Sequence, residues 1–180
     1  MFLWFLGTAT VAVWFVFRDA GFDYRVLFIG AVGVDAVDGA LGGARFLHSV
    51  TASVLALLMV VVCTRRGGVA RRRMLALPIG MFLHLVFDGA FSATRIFWWP
   101  AREVAFKILS SEPVGWFDAF DSARLPSVER GALNVALELA GFALLAWMWR
   151  LHGLGDARVR REFLREGRLS GMTSKPVGRC

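Results

Sequence analysis

The chain has 180 residues, 57% of them hydrophobic and 19% charged, with a formal net charge of +7 and a pI near 10.9. Soluble domains are roughly half apolar and about a quarter charged, so this composition excludes an ordinary soluble domain and predicts one small integral membrane domain. The basic residues lie in clusters beside hydrophobic segments, where membrane topology places them, so no nucleic acid partner is expected. Cys63 and Cys180 are the two cysteines, and they indicate neither a disulfide framework nor a cysteine-based zinc site.

Five hydrophobic segments predict an all-α fold, a polytopic integral membrane helical bundle with about five transmembrane helices plus interfacial helices. In chain order these segments cover 1–17, 26–43, 46–63, 74–91 and 132–149. The second segment is rich in Gly and Ala, which allows neighbouring helix backbones to approach closely. Together the segments form a transmembrane domain over residues 1–150, which is followed by a basic tail over residues 151–180.

The charges between the segments predict how the chain crosses the membrane. The loop from Arg65 to Arg73 carries several arginines and no acidic residue, and the 151–180 tail is also basic, whereas the connection 92–131 balances its charges. The positive-inside rule therefore predicts that the loop and the tail are cytoplasmic and that the 92–131 connection is external. The chain is expected in the cell membrane as a multi-pass protein, with its N-terminus outside and its C-terminus in the cytoplasm.

Five ionisable residues interrupt the apolar segments. Asp35 and Asp38 lie three positions apart and His84 and Asp88 lie four apart, so each pair shares one helical face, and His48 lies near the start of the third segment. The predicted orientation places all five in the outer leaflet. Because a buried ionised carboxylate costs kilocalories unless it is paired, hydrated or bound to a cation, these residues predict a functional site.

Three carboxylates and two imidazoles form a set of oxygen and nitrogen donors, which suits Zn²⁺, Mn²⁺, Fe²⁺ or Mg²⁺. The predicted ligands of a divalent metal ion are Asp35, Asp38, His48, His84 and Asp88. They are enough for one ion with supporting residues, or for two ions bridged by a carboxylate. The alternative is that these side chains only pair with one another or cap broken helices.

Four short motifs follow one another along the chain: Asp35-Ala36-Val37-Asp38, Arg45-Phe46-Leu47-His48-Ser49, His84-Leu85-Val86-Phe87-Asp88 and Trp99-Pro100. In their order and spacing, over about residues 26–100, they resemble the membrane-bound metal-dependent hydrolases of bacteria and archaea. The resemblance implies that the five predicted ligands bind the metal or support its ligands, with Arg45 and Ser49 beside them. Val34 stands where that family usually has Pro.

The resemblance also implies a reaction, in which metal-activated water attacks an ester or phosphoester at the outer face of the membrane. Asp38 or Asp88 is expected to accept the proton. Arg45 is expected to bind an anionic group such as a phosphate, or else to be an interfacial arginine. The expected substrate is a lipid or a lipid-linked phosphoester, and the lipid bilayer is the expected surrounding.

A second class of function stays open at this point, a non-catalytic membrane protein that serves as a metal or proton conduit or as a scaffold with a structural polar cluster. A conduit needs polar residues through both leaflets, and the inner halves of the second to fourth segments are apolar. Glu138 also stays open, because it is either a further ligand or base or a structural hydrogen-bond partner.

Overall fold

The computed structural model describes residues 1–18, 21–40, 46–90, 97–100 and 127–169. These ranges form seven helices and one 3₁₀ turn and contain no strand, which confirms the all-α prediction for the described residues. In chain order the elements are α1 (Phe2–Phe17), α2 (Tyr24–Ala40), the 3₁₀ turn (Phe46–His48), α3 (Val50–Cys63), α4 (Val69–Met74), α5 (Ala76–Phe87), α6 (Ser127–Leu151) and α7 (Ala157–Glu166).

Helix length separates α6 from the other apolar helices. The stretch Gly131–Leu151 of α6 has 21 residues and is long and apolar enough to span a membrane. By contrast, α1, α3 and α5 have 16, 14 and 12 residues, whereas a transmembrane helix needs about 20. The described helices therefore contain one candidate span, and their lengths do not support the predicted five-span bundle. Most of the 92–131 connection and the end of the tail, residues 170–180, lie outside the described residues.

Helices α2 and α5 cross at a point where neither has a side chain. A Cβ atom on Gly30 would collide with the carbonyl oxygen of Leu77, and one on Gly80 would collide with the carbonyl oxygen of Leu27. Two glycines facing each other allow the backbones to approach more closely than any other residue pair permits. This crossing fixes how the later part of α2 lies against the later part of α5.

Helices α1 and α6 run in the same direction and pack through a second pair of glycines. A Cβ atom on Gly7 would lie 2.6 Å from the carbonyl oxygen of Gly141. The Glu138 carboxylate accepts hydrogen bonds from the backbone N–H groups of Phe2 and Leu3, at 2.8 Å for Leu3, and so caps the start of α1. Of the two roles open for Glu138, the structure shows the hydrogen-bonding one.

Helix α7 packs against the other end of the bundle. It ends at Gly167, whose φ of 74° favours glycine. The Gly167 carbonyl oxygen accepts a hydrogen bond of 2.8 Å from the backbone N–H of Tyr24, at the start of α2. Val159 and Phe163 pack on the core beneath. The first part of the basic tail is thus attached to the bundle at the end opposite to the start of α1.

Candidate metal centre

Three of the five predicted ligands converge where α2, the 3₁₀ turn and α5 meet. His48 Nε2 lies 3.3 Å from Asp35 Oδ1, and His84 Nε2 lies 3.4 Å from the same oxygen. One ligand atom from each residue falls within 4.8 Å of the others. The Asp35–His48–His84 cluster is buried at both imidazoles, whereas 46% of the Asp35 side chain is exposed.

Local structure explains how His48 reaches the cluster. The 3₁₀ turn places it directly before α3, whose N-cap is Ser49. Ser49 Oγ donates to the Phe46 carbonyl oxygen at 2.7 Å and accepts from the backbone N–H of Ala52 at 3.2 Å. A serine that satisfies both groups holds the turn to the helix start. Ser49, which the hydrolase resemblance places beside the ligands, therefore fixes the backbone that carries His48.

The orientation of the His84 ring is set from α2. His84 Nδ1 lies 2.7 Å from the carbonyl oxygen of Ala31, an atom that can only accept a hydrogen bond, so Nδ1 carries the proton. In the neutral ring, Nε2 then presents a lone pair. His84 Nε2 is buried and makes no hydrogen bond within the described part of the chain. The Phe5 ring packs on the imidazole with its centroid 4.1 Å away.

Asp38 fixes the second imidazole in the same way. Its Oδ2 atom lies 2.7 Å from His48 Nδ1 and accepts a further hydrogen bond of 3.2 Å from the His48 backbone N–H. Asp38 is 1% exposed. A carboxylate that holds the distal nitrogen of an imidazole is the usual partner of a metal-binding histidine. His48 Nε2 is thereby directed at Asp35.

The ligand atoms of the cluster would stabilise a positive charge placed between them. With both Nδ1 atoms protonated, two imidazole lone pairs and one carboxylate face a common space. Such a set is mutually repulsive unless a proton or a metal ion lies between the donors. Two imidazole nitrogens and one carboxylate oxygen are a common ligand set for divalent transition metals, so Asp35, His48 and His84 could hold a metal ion.

Of the two remaining predicted site residues, Asp88 and Arg45, the structure describes only Asp88. Asp88 is the C-cap of α5, with its backbone N–H bonded to the carbonyl oxygen of His84 at 2.8 Å and its side chain exposed. Its role as a ligand or base stays a prediction. Arg45 lies outside the described residues, so its role also stays a prediction.

Two features of the site carry no sequence signal. The Ala31 carbonyl is a backbone group, so residue type gives no indication of its bond to His84. The Phe5 contact joins α1 to α5 across the fold. The Trp99-Pro100 motif could be read from the sequence. The structure brings it to the start of α3 and the 3₁₀ turn, since the Trp99 carbonyl oxygen accepts a hydrogen bond of 2.6 Å from Thr51 Oγ1 and the Trp99 ring lies 5.6 Å from the Phe46 ring.

Compared with known proteins, the chain matches no family model, no curated protein and no solved structure. The hydrolase resemblance therefore depends on the motif residues alone.

Proposed function

We propose that this chain is a membrane-bound metal-dependent hydrolase that binds one divalent cation through Asp35, His48 and His84. The observation that carries the proposal is the convergence of two imidazole Nε2 atoms on one carboxylate oxygen, with both Nδ1 atoms held by other oxygens. In metal sites the second ring nitrogen of each histidine usually donates to such an oxygen, which directs the first nitrogen at the ion.

The surface of the helices supports a location in the bilayer. The face of α3 that does not pack on other helices carries large apolar side chains. Val62 is the most exposed of them, with a fractional exposure of 82%. Val135, Leu139 and Phe142 form a similar exposed surface on α6. Soluble monomers rarely expose large continuous apolar surfaces to water, whereas lipid tails cover such surfaces without a cost in free energy. We propose that α1, α2, α3 and α5 are embedded with α6, and that their short lengths are accommodated within one bundle.

The proposed orientation follows from the two ends of the bundle. The metal cluster lies at the end where α1 begins, because the Phe5 ring packs on His84. The arginines of α4 and α7 lie at the other end, since α4 directly precedes α5 and the residue after α7, Gly167, bonds to Tyr24 at the start of α2. Arginines remain on the cytoplasmic side. The cluster then belongs to the outer leaflet, with the N-terminus outside and α7 in the cytoplasm.

The side chains around the cluster have separate proposed tasks in hydrolysis. When bound, a divalent cation supplies Lewis acidity, which polarises an ester or phosphoester and makes water a stronger nucleophile. Asp38 and the Ala31 carbonyl hold the two imidazoles in position through their Nδ1 protons. Asp35 is the ligand on the accessible side, so we expect substrate to approach from there.

Proton transfer is assigned to Asp88 rather than to Asp38, although the sequence left both open. Asp38 is buried and already bonded to His48 twice, which leaves it a positioning role. The Asp88 side chain is exposed and follows His84 by four residues. A base has to reach the proton that it removes, and the exposed carboxylate has that freedom. Arg45 is proposed to bind the anionic group of a lipid or lipid-linked phosphoester.

Metal content tests this proposal most directly. Elemental analysis of the purified wild-type chain is expected to find one divalent metal ion per molecule, and the Asp35→Ala, His84→Ala double variant is expected to have lost it. His152→Ala is the matched control, since His152 lies after α6 at the opposite end of the bundle. Retained metal in the double variant would exclude the site. The metal that is found then defines the conditions for assaying phosphoester hydrolysis.

A further inference from the structure

A cavity lies between three helices of the bundle. The helices α1, α3 and α5 line this half-open cavity, which has a volume of about 360 Å³. Its lining includes Val13 from α1, Ser53 and Leu57 from α3, and Ile79 and Leu83 from α5. Apart from Ser53, every side chain that lines it is apolar. A cavity of this kind lies within the size range of pockets for small molecules.

The cavity is placed along the same helices as the metal cluster but further from the outer end. On α5 its lining covers residues 78–83, directly before His84. On α3 it begins at Ser53, one helical turn after Ser49, and continues to Leu57. At a rise of 1.5 Å per residue, the lining of α5 extends roughly 8 Å along the helix away from the cluster. This is the direction in which the tail of a lipid points when its head lies in the outer leaflet.

The lining of the cavity indicates which kind of ligand it can bind. A water molecule needs two to four polar partners, and this lining offers it only Ser53. Ser53 is buried, and its Oγ atom has no hydrogen-bond partner within the described residues. Since α3 begins at the outer end, Ser53 lies at the end of the cavity nearer to the cluster. A ligand that fits has a long apolar part and one hydrogen-bond acceptor near its polar end.

We propose that this cavity binds an acyl chain of the lipid substrate, with the carbonyl oxygen of its ester accepting a hydrogen bond from Ser53 Oγ. This inference rests on the proposed function, because it places the hydrolysed group of the same lipid at the Asp35–His48–His84 cluster. It narrows the substrate class to acyl lipids. A soluble phosphoester lacks the part of the molecule that the cavity would bind.

Photolabelling tests the site without requiring turnover. The full chain is reconstituted in phospholipid vesicles that contain a phospholipid with a diazirine on its acyl chain, then illuminated and mapped by mass spectrometry. Labels are expected on Leu57 and Ile79 several-fold more often than on Val62, which lies on the exposed surface of α3.

Leu57→Trp fills the cavity and is expected to abolish this preference, whereas Val62→Trp on the same helix is the control that retains it. Equal labelling of Val62 and the cavity residues in the wild type would overturn the proposal, and this wild-type comparison decides even if Leu57→Trp does not fold.

A second comparison isolates the hydroxyl group. Wild-type protein is expected to be labelled several-fold more by an ester-linked probe than by its ether-linked analogue, which lacks the carbonyl oxygen. Ser53→Ala keeps the cavity open and is expected to remove this difference. A preference that persists in Ser53→Ala would overturn the assignment of the carbonyl to Ser53.

The same preparations separate this inference from the proposed function. Metal content reports on the cluster, whereas labelling by the ether-linked probe reports on the cavity alone. Cavity labelling without bound metal would support the lipid site while excluding the hydrolase. Bound metal with no preference for the cavity would support the cluster and overturn the lipid site.

Discussion

Asp38 acts on the candidate metal centre through His48 rather than by facing the other ligand atoms. Its Oδ2 atom binds both the ring and the backbone of His48, while Asp35 faces both imidazoles. The sequence places the two aspartates on one helical face and predicts both as ligands, with Asp38 also open as the proton acceptor. The structure separates their roles because His48 directs Nδ1 at Asp38 and Nε2 at Asp35, while His84 faces Asp35.

This division of roles predicts different losses of metal affinity. Asp38→Ala removes the oxygen that orients His48, and the loss of such a partner lowers metal affinity by about 10- to 100-fold. Asp35→Ala removes a ligand and is expected to abolish binding at the same metal concentrations. Asp38→Asn is the matched control, since its side-chain oxygen can still accept the Nδ1 proton. Competition with a chelator of known affinity measures all three variants, and an unchanged affinity in Asp38→Ala would contradict the role given to it.

At the scale of helices, the crossing of α2 and α5 determines whether the cluster can form. His84 and the Ala31 carbonyl lie on either side of it, and Gly30 and Gly80 set its separation. A side chain at this point would move α5 away from α2 and carry His84 Nε2 away from Asp35. Close helix packing and the geometry of the candidate metal centre are therefore coupled.

Two alanine substitutions test this coupling. Gly80→Ala adds a Cβ atom that would collide with the Leu27 carbonyl oxygen, and overpacking of this kind costs about 1–3 kcal/mol of unfolding free energy. Gly33→Ala on α2 is the control, because a Cβ atom there meets nothing within 4 Å, and the better helix propensity of Ala would add up to about 1 kcal/mol. Thermal unfolding in detergent and metal content are measured together. If Gly80→Ala kept both its stability and its metal, the glycine contact would not be needed for the site.

At the scale of the whole molecule, the sequence is informative where a property depends on neighbouring residues and uninformative where it depends on packing. The last residues of α1 and α3, Phe17 and Cys63, are the predicted ones, because each apolar run is followed there by polar residues. The division into α4 and α5 at Leu75 follows from Pro78 in the first turn of α5, because proline has no N–H to donate to the carbonyl oxygen of Met74, the last residue of α4. The convergence of Asp35, His48 and His84 could be predicted from helix direction and spacing. The capping of α1 by Glu138 could only be left open, since it depends on how α6 lies beside α1.

Arg25 contributes to the attachment of α7 to the start of α2, because it joins Asp23 to the end of α7. Arg25 Nη2 lies 2.8 Å from Asp23 Oδ2, and Arg25 Nη1 donates to the carbonyl oxygens of Leu164 and Arg165 at 2.8 and 3.0 Å. Burial alone would raise the pKa of the Asp23 carboxyl, but the hydrogen bonds and charge of Arg25 outweigh it and hold that pKa below its usual range. A carboxyl whose pKa is lowered on folding stabilises the folded state at every pH above its unfolded pKa, and the contribution is lost as the pH falls through the folded pKa. The pair is therefore intact throughout the neutral range.

Removing the guanidinium is expected to release α7 while leaving the rest of the bundle folded. Arg25→Ala deletes both bonds to the α7 carbonyl oxygens and leaves the buried Asp23 carboxylate without its cation, which is the costly way to break such a pair. Because α7 is rich in arginine, limited trypsin digestion at neutral pH reports its release, and cleavage within Ala157–Glu166 is expected to be several-fold faster than in the wild type. Arg168→Ala is the control, since Arg168 is paired on the surface with Glu166. Equal cleavage rates in Arg25→Ala and wild type would show that the apolar contacts of Val159 and Phe163 hold α7 without the ion pair.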